Sequence, residues 1–276
     1  MPTFSVDKEK TRMKIPAVAY GTWKLDDAHA ATCVARAIGD GYRMVDTAQR
    51  YHNEYGVGQG VLNSGVEREE VLVASKLRGG DQGLEQARRA FFATLRNLGL
   101  DYIDLYHIHW PLPRLGLYLE SYEALMQLRE EGFIKNIGVC NFPIAHLQKI
   151  REEFGEYPAV NQFEVHPGFA QIDLVNFCLE NDIAPQGWGV IGRGKGLLEH
   201  PDVKKIAAEH SCSPAAVCIA WASARGISSV AKSANPDRWK DNLSAPRIKL
   251  SENNMRTLDQ IAVGRLGKDP EVDEEY

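Results

Sequence analysis

Four side chains in the first half of the chain are of types that, brought to one point, protonate a carbonyl oxygen: Asp46, Tyr51, Lys76 and His109. Asp46 closes the short apolar stretch RMVD, and Tyr51 follows in the polar run TAQRYHNE. Lys76 ends VLVASK, and His109 ends IDLYHIH just before Trp110 and Pro111. A free tyrosine, with a pKa of about 10, donates protons poorly at neutral pH, but an ammonium beside it favours the phenolate and lowers that value. Lys76 is placed to supply that charge, Asp46 would hold Lys76, and an imidazole at His109 would orient or polarise a carbonyl oxygen as it becomes an alkoxide. The set suits protonation of a carbonyl that receives a hydride. Singly, each residue has an ordinary explanation, because Asp caps turns and helices and Lys at a strand end is commonly solvated. Their recurrence at the ends of successive strands is what carries chemical meaning.

Bringing the four together requires strands that share an end. Apolar runs predict strands at about 17–20, 43–47, 71–76, 103–109, 135–140, 159–163, 183–188 and 228–232, with helical periodicity between them and a helix over 203–224 broken near Pro214. Further helices are expected near 236–242 and 251–261. Alternation of strand and helix on this count predicts a closed (β/α)8 barrel, with a doubly wound sheet as the competing arrangement. A barrel further requires functional residues at the carboxyl ends of all its strands. The later strands end in Cys140 and Asn141, in Asn161 and Gln162, in Trp188, and in Lys232 and Ser233. Trp23 and Trp110 fall just past strand ends, where they would wall a substrate pocket. Residues 4–15 alternate around a charged turn and predict an N-terminal β-hairpin.

No linker or charge block divides the 276 residues, so a single domain over 1–276 is expected. A net charge of -5 argues against a broad nucleic-acid or membrane-surface face. The start, MPTFSVDKEKTR, has no apolar signal core and no later run reaches the length of a membrane span, which predicts a cytoplasmic protein. The absence of a coiled coil or a long apolar helix face predicts a monomer. Five widely spaced cysteines without a C-x-x-C pair speak against a disulfide framework or a zinc knuckle.

The motifs DTAQRYHNE, VLVASK, DLYHIHWP, GVCNF, AVNQFEVHP and KSANPDRWKDN follow the order and spacing of the aldo-keto reductase family, which the chain resembles over essentially its whole length. The similarity is greatest to a compact microbial and protozoal branch containing 2,5-diketo-gluconate reductases and prostaglandin F synthases. The resemblance implies a (β/α)8 barrel, no metal, a small carbonyl substrate, NADPH as hydride donor, and a tetrad of Asp46, Tyr51, Lys76 and His109 with Tyr51 as general acid. It further implies that Cys140, Asn141 and Gln162 meet the nicotinamide carboxamide and that Trp188 stacks on the ring. The loop from Gly189 to Gly196, with Gly189, Val190 and Gly192 in it, would run along the pyrophosphate, Lys232, Ser233 and Arg238 would lie on the 2′-phosphate, and Asn242 on the adenine.

The chain departs from the family pattern in several places. Cys140 stands where the family usually has serine, and a thiol is a weaker donor, so the nicotinamide would be held more loosely and an accessible thiol would be open to oxidation. A further arginine usual near Asn235 is missing, and Ala231 replaces the proline before the strand-eight lysine; the lost cation would weaken but not abolish the preference for NADP. The loop 110–118 and the tail after Gly264, both of which shape the family's pocket, are short and predict an open pocket.

Two other functions fit parts of the sequence. His107 and His109 form an H-x-H on one strand face, as in metal-dependent hydrolases on the same barrel, but a catalytic metal needs about three protein ligands, and Asp46 is better used on Lys76. The barrel could also serve as a cofactor-bound regulatory module, against which the intact tetrad speaks. Gly187, Gly189 and Gly192 spell G-x-G-x-x-G, but the following RGKGLLEHP reads as loop, which argues against a Rossmann site.

Overall fold

The computed structural model describes residues 13–272. The hairpin expected over 4–15 lies largely outside them, and residues 13–15 carry no strand. The eight strands are β1 (Val18–Gly21), β2 (Met44–Asp46), β3 (Leu72–Leu77), β4 (Ile103–Ile108), β5 (Ile134–Cys140), β6 (Val160–Glu164), β7 (Ala184–Trp188) and β8 (Ser228–Ala231). Each pairs in parallel with the next, and β8 closes on β1 through Val18 opposite Ser229. The helices are α1 (Asp27–Gly39), α2 (Glu54–Leu62), α3 (Leu84–Leu98), α4 (Tyr118–Glu130), α5 (Ile144–Phe154), α6 (Ile172–Glu180), α7 (Pro201–Glu209), α8 (Pro214–Ala224), α9 (Pro236–Ser244) and α10 (Glu252–Asp259).

The helix expected to break near Pro214 is two helices. Ser213 accepts from the Ala216 amide and Pro214 occupies the first turn, where its missing N–H is no loss. Asn235 caps α9 ahead of Pro236 in the same way.

The barrel interior explains how the site is built. Ala19, Met44, Ala74, Leu105, Val160 and Ala184 form one buried apolar cluster. Two residues further along five of these strands, on the same face, stand Asp46, Lys76, His107, Gln162 and Gln186, all buried. The interior therefore changes from apolar to polar towards the carboxyl ends. β5 contributes space at this level: a Cβ at Gly138 would lie 2.4 Å from His107 Cδ2 and 2.7 Å from its Nε2. Gly138→Ala is expected to displace the imidazole and cost about 1–3 kcal/mol, measured as a lower urea midpoint at unchanged m-value.

Candidate active site

β2 delivers Asp46, and the chain then enters a short 3₁₀ turn, Gln49–Tyr51, that carries the phenol. His52 follows in the left-handed region, with φ 54°. Buried Asn53 fixes this turn: its Nδ2 donates to the carbonyls of Thr22 and Leu25, and its Oδ1 accepts from Thr47 Oγ1, all at 2.9 Å. One amide thereby ties the loop bearing Tyr51 to the loop bearing Trp23.

Lys76 Nζ donates to Asp46 Oδ1 at 2.6 Å and to the Thr47 carbonyl at 2.8 Å, with both charged side chains buried. Burial opposes the ammonium, but the Asp46 carboxylate leads the groups that outweigh it, and the lysine pKa is raised. The same ammonium stands 5.3 Å from the centroid of the Tyr51 ring, and the Tyr51 and His109 centroids are 6.1 Å apart. Four residues from β2, its following turn, β3 and the end of β4 thus converge.

The phenol differs from expectation in one respect. Lys76 does pull its pKa down, but burial is the larger influence and pushes it up to about 12. Removing water from a phenolate costs more than one ammonium, already shared with Asp46, returns. Tyr51 is therefore a protonated donor at neutral pH. Burial, then Lys76 and His107, holds the His109 imidazole well below its ordinary pKa, so that ring is neutral. His107, lowered to about 3 chiefly by burial, faces the Ser75 carbonyl from Nδ1 at 3.3 Å. Among the described residues no group of three or more His, Cys, Asp or Glu is arranged to hold a metal.

A cavity of about 700 Å³ opens above this cluster. Asp46, Tyr51, His109, Trp23, Trp110, Asn141, Gln162, Trp188, Gly189 and Lys232 line it. Lys76 lies beneath. Cys140, Val190 and Gly192 are buried outside the lining, and Cys140, 1% exposed with its thiol pKa raised by burial, is not an accessible thiol. Ser233 and Asn242 are buried, and Arg238 is exposed on the first turn of α9.

Asn141 and Gln162 have commitments the sequence does not reveal. Asn141 Nδ2 donates to the His109 carbonyl at 3.0 Å, and its Oδ1 accepts from Trp188 Nε1 at 2.8 Å. Gln162 Nε2 donates to Asp46 Oδ2 at 2.8 Å and to Gln186 Oε1 at 2.7 Å. Both amide protons of Gln162 are used within the protein, leaving its oxygen for other partners.

The family model described as "Aldo/keto reductase family" matches residues 17–263. The chain belongs to the aldo/keto reductase family. This aldo/keto reductase is 41% identical over 263 residues to a 9,11-endoperoxide prostaglandin H2 reductase of Trypanosoma cruzi, covering 94% of this chain and 92% of that protein. It is 35% identical over 259 residues to a methylglyoxal reductase of Escherichia coli, covering 93% of this chain and 94% of that one. Its fold superposes on the crystal structure of a Gox0644 variant in complex with NADPH with a TM-score of 0.89 at 35% identity, covering 96% and 99% of the two chains.

Sequence reasoning misses the cations on the cavity wall of this aldo/keto reductase: Lys24, Arg50, Arg193 and Lys268. The Arg193 guanidinium lies 5.0 Å from the Trp23 ring centroid and 5.4 Å from that of Trp188. It belongs to RGKG, within the loop that the resemblance sets along the pyrophosphate but without a role given to this side chain. Asn53 and Glu164 fall within the motifs quoted above, and a polar residue that the fold buries is the signal that would single them out.

Proposed function

We propose that this chain reduces aldehydes and ketones to alcohols, with NADPH as hydride donor and Tyr51 as general acid. The observation that carries the reading is the buried Lys76–Asp46 pair at 2.6 Å beneath Tyr51 and His109 on a cavity floor. The residues present fit the cofactor. The Trp188 indole offers a flat apolar face on the cavity, Asn141 and the free oxygen of Gln162 offer polar atoms beside it, and Lys232 and Arg238 offer cations for a phosphate. Gly189, Val190 and Gly192, with Ser233 and Asn242, would complete its binding, and Cys140 would support the nicotinamide end from below.

NADPH, when bound, supplies the hydride that reaches the carbonyl carbon. The neutral His109 ring orients the carbonyl oxygen, and the Tyr51 hydroxyl donates to it. As the oxygen becomes an alkoxide it takes the Tyr51 proton, and Lys76, held by Asp46, stabilises the phenolate left behind until water reprotonates it. Trp23 and Trp110 wall the space for the substrate. The substrate is a small aldehyde, a dicarbonyl, a keto sugar or a prostaglandin precursor; the names of the two relatives support the dicarbonyl and the prostaglandin precursor.

The same reading takes the protein as a cytoplasmic monomer; among the described residues no helix is long and apolar enough to cross a membrane. The test is NADPH oxidation followed by absorbance with a panel of aldehydes, dicarbonyls and keto sugars, repeated with NADH, on a preparation whose mass is measured by light scattering. Turnover with NADPH exceeding that with NADH, from a single 30.8 kDa chain, is the expected result. Tight NADPH binding without turnover of any carbonyl would leave a cofactor-binding module instead.

A further inference from the structure

Outside the tetrad, Glu164 at the end of β6 is a buried carboxylate, 1% exposed, with an unusual set of partners. Its Oε1 accepts from the Leu266 backbone amide at 2.6 Å and faces His166 Nε2 at 3.1 Å, while Oε2 accepts from the Gly267 amide at 2.8 Å. His166 is buried as well, its Nδ1 lying 3.0 Å from the Pro167 carbonyl. Burial alone would raise the carboxyl pKa, but the bonds from His166, Leu266 and Gly267 outweigh it, and the group sits below its ordinary range. A charged carboxylate is thus committed to two amides of the C-terminal tail.

Those amides place the tail against the proposed cofactor face. A Cβ at Gly267 would lie 2.4 Å from Trp188 Cη2 and 2.7 Å from Glu164 Oε2, so the glycine fills the gap between carboxylate and indole. Lys195 Nζ holds the Leu266 carbonyl at 2.9 Å, and the Gly264 amide donates to the Gly168 carbonyl at 3.0 Å. The next residue, Lys268, lines the cavity together with Lys24 and Arg193, and the acidic residue of that lining, Asp46, is held by Lys76.

We propose that Glu164 is a positioning residue for substrate selection: by holding the Leu266 and Gly267 amides it sets Lys268 on the cavity rim, where that cation favours carbonyl substrates bearing an anionic group. The proposal rests on the carbonyl-reductase reading above. It involves no step in the chemistry itself, only the place at which the far end of a substrate meets charge.

The experiment compares succinic semialdehyde with butyraldehyde, which differ in a carboxylate against a methyl group, in the full-length enzyme and in Glu164→Gln and Lys268→Ala. The wild type is expected to favour the semialdehyde in kcat/KM. Both variants are expected to lower that preference about two- to fivefold, through KM rather than kcat, because a rim charge acts on binding. Hydrogen exchange at the Leu266 and Gly267 amides should accelerate in Glu164→Gln and not in Lys268→Ala. An unchanged preference in Glu164→Gln with freely exchanging amides, or a preference untouched in Lys268→Ala, would overturn the proposal. Should Glu164→Gln fail to fold, Glu164→Asp, which keeps the charge but shortens its reach to the two amides, takes its place with the same deciding outcomes. Failure of the wild type to reduce these aldehydes or any other carbonyl of the panel would instead sink the reductase reading, while amide exchange would still report whether Glu164 holds the tail.

Discussion

Tyr51→Phe is expected to lower kcat by about 10²- to 10⁴-fold while leaving NADPH affinity close to that of the wild type. The phenol hydroxyl is the donor that the alkoxide would use, and phenylalanine keeps the ring that packs 6.1 Å from His109. Fold and cavity shape should therefore survive, so the loss belongs to kcat. The pH dependence follows from the two shifted groups. A phenol raised to about 12 stays protonated through neutral pH, and an imidazole held well below its ordinary value stays neutral there. The single-turnover rate should be flat across the neutral range and decline only as alkaline pH removes the Tyr51 proton. Stopped-flow NADPH oxidation at several pH values checks both statements, and full turnover by Tyr51→Phe would remove the phenol from the mechanism.

The barrel is legible in the sequence because five of its strands write their positions twice. Met44 and Asp46, Ala74 and Lys76, and Val160 and Gln162 are pairs two residues apart in which the first is apolar and the second polar, so the interior and its functional end are both visible in local sequence. Residues acting across the barrel are less legible. Gln162 bonds to Asp46, 116 positions away, and Glu164 to Gly267, 103 away, and no local period encodes such pairs. The direction of the phenol shift is hidden because sequence identifies the neighbouring charge but not the burial, and burial is the larger influence. Cys140 follows the same pattern: its type leaves open whether the thiol is accessible to oxidation, and its depth in the barrel shows that it is not.

Lys76→Met should cost about 3–5 kcal/mol of stability, because it leaves the Asp46 carboxylate buried with its cation gone. Gln162 Nε2 would remain as a partner, one hydrogen bond against the loss of the 2.6 Å pair. Adding Asp46→Asn to Lys76→Met should recover most of that loss, since a buried pair replaced on both sides leaves no uncompensated charge. Activity should not return, because nothing then stabilises the Tyr51 phenolate. The two measurements separate the pair's structural cost from its chemical role. Lysine linkage gives a third readout: the folded-state pKa is raised, so this group's stabilisation is whole below the free lysine value of about 10.4 and falls as the pH climbs beyond it. Urea unfolding of the wild type should therefore weaken on alkaline titration more steeply than that of the double variant. Equal alkaline slopes, or a single variant as stable as the wild type, would mean that the Lys76 charge is not held by Asp46 in solution.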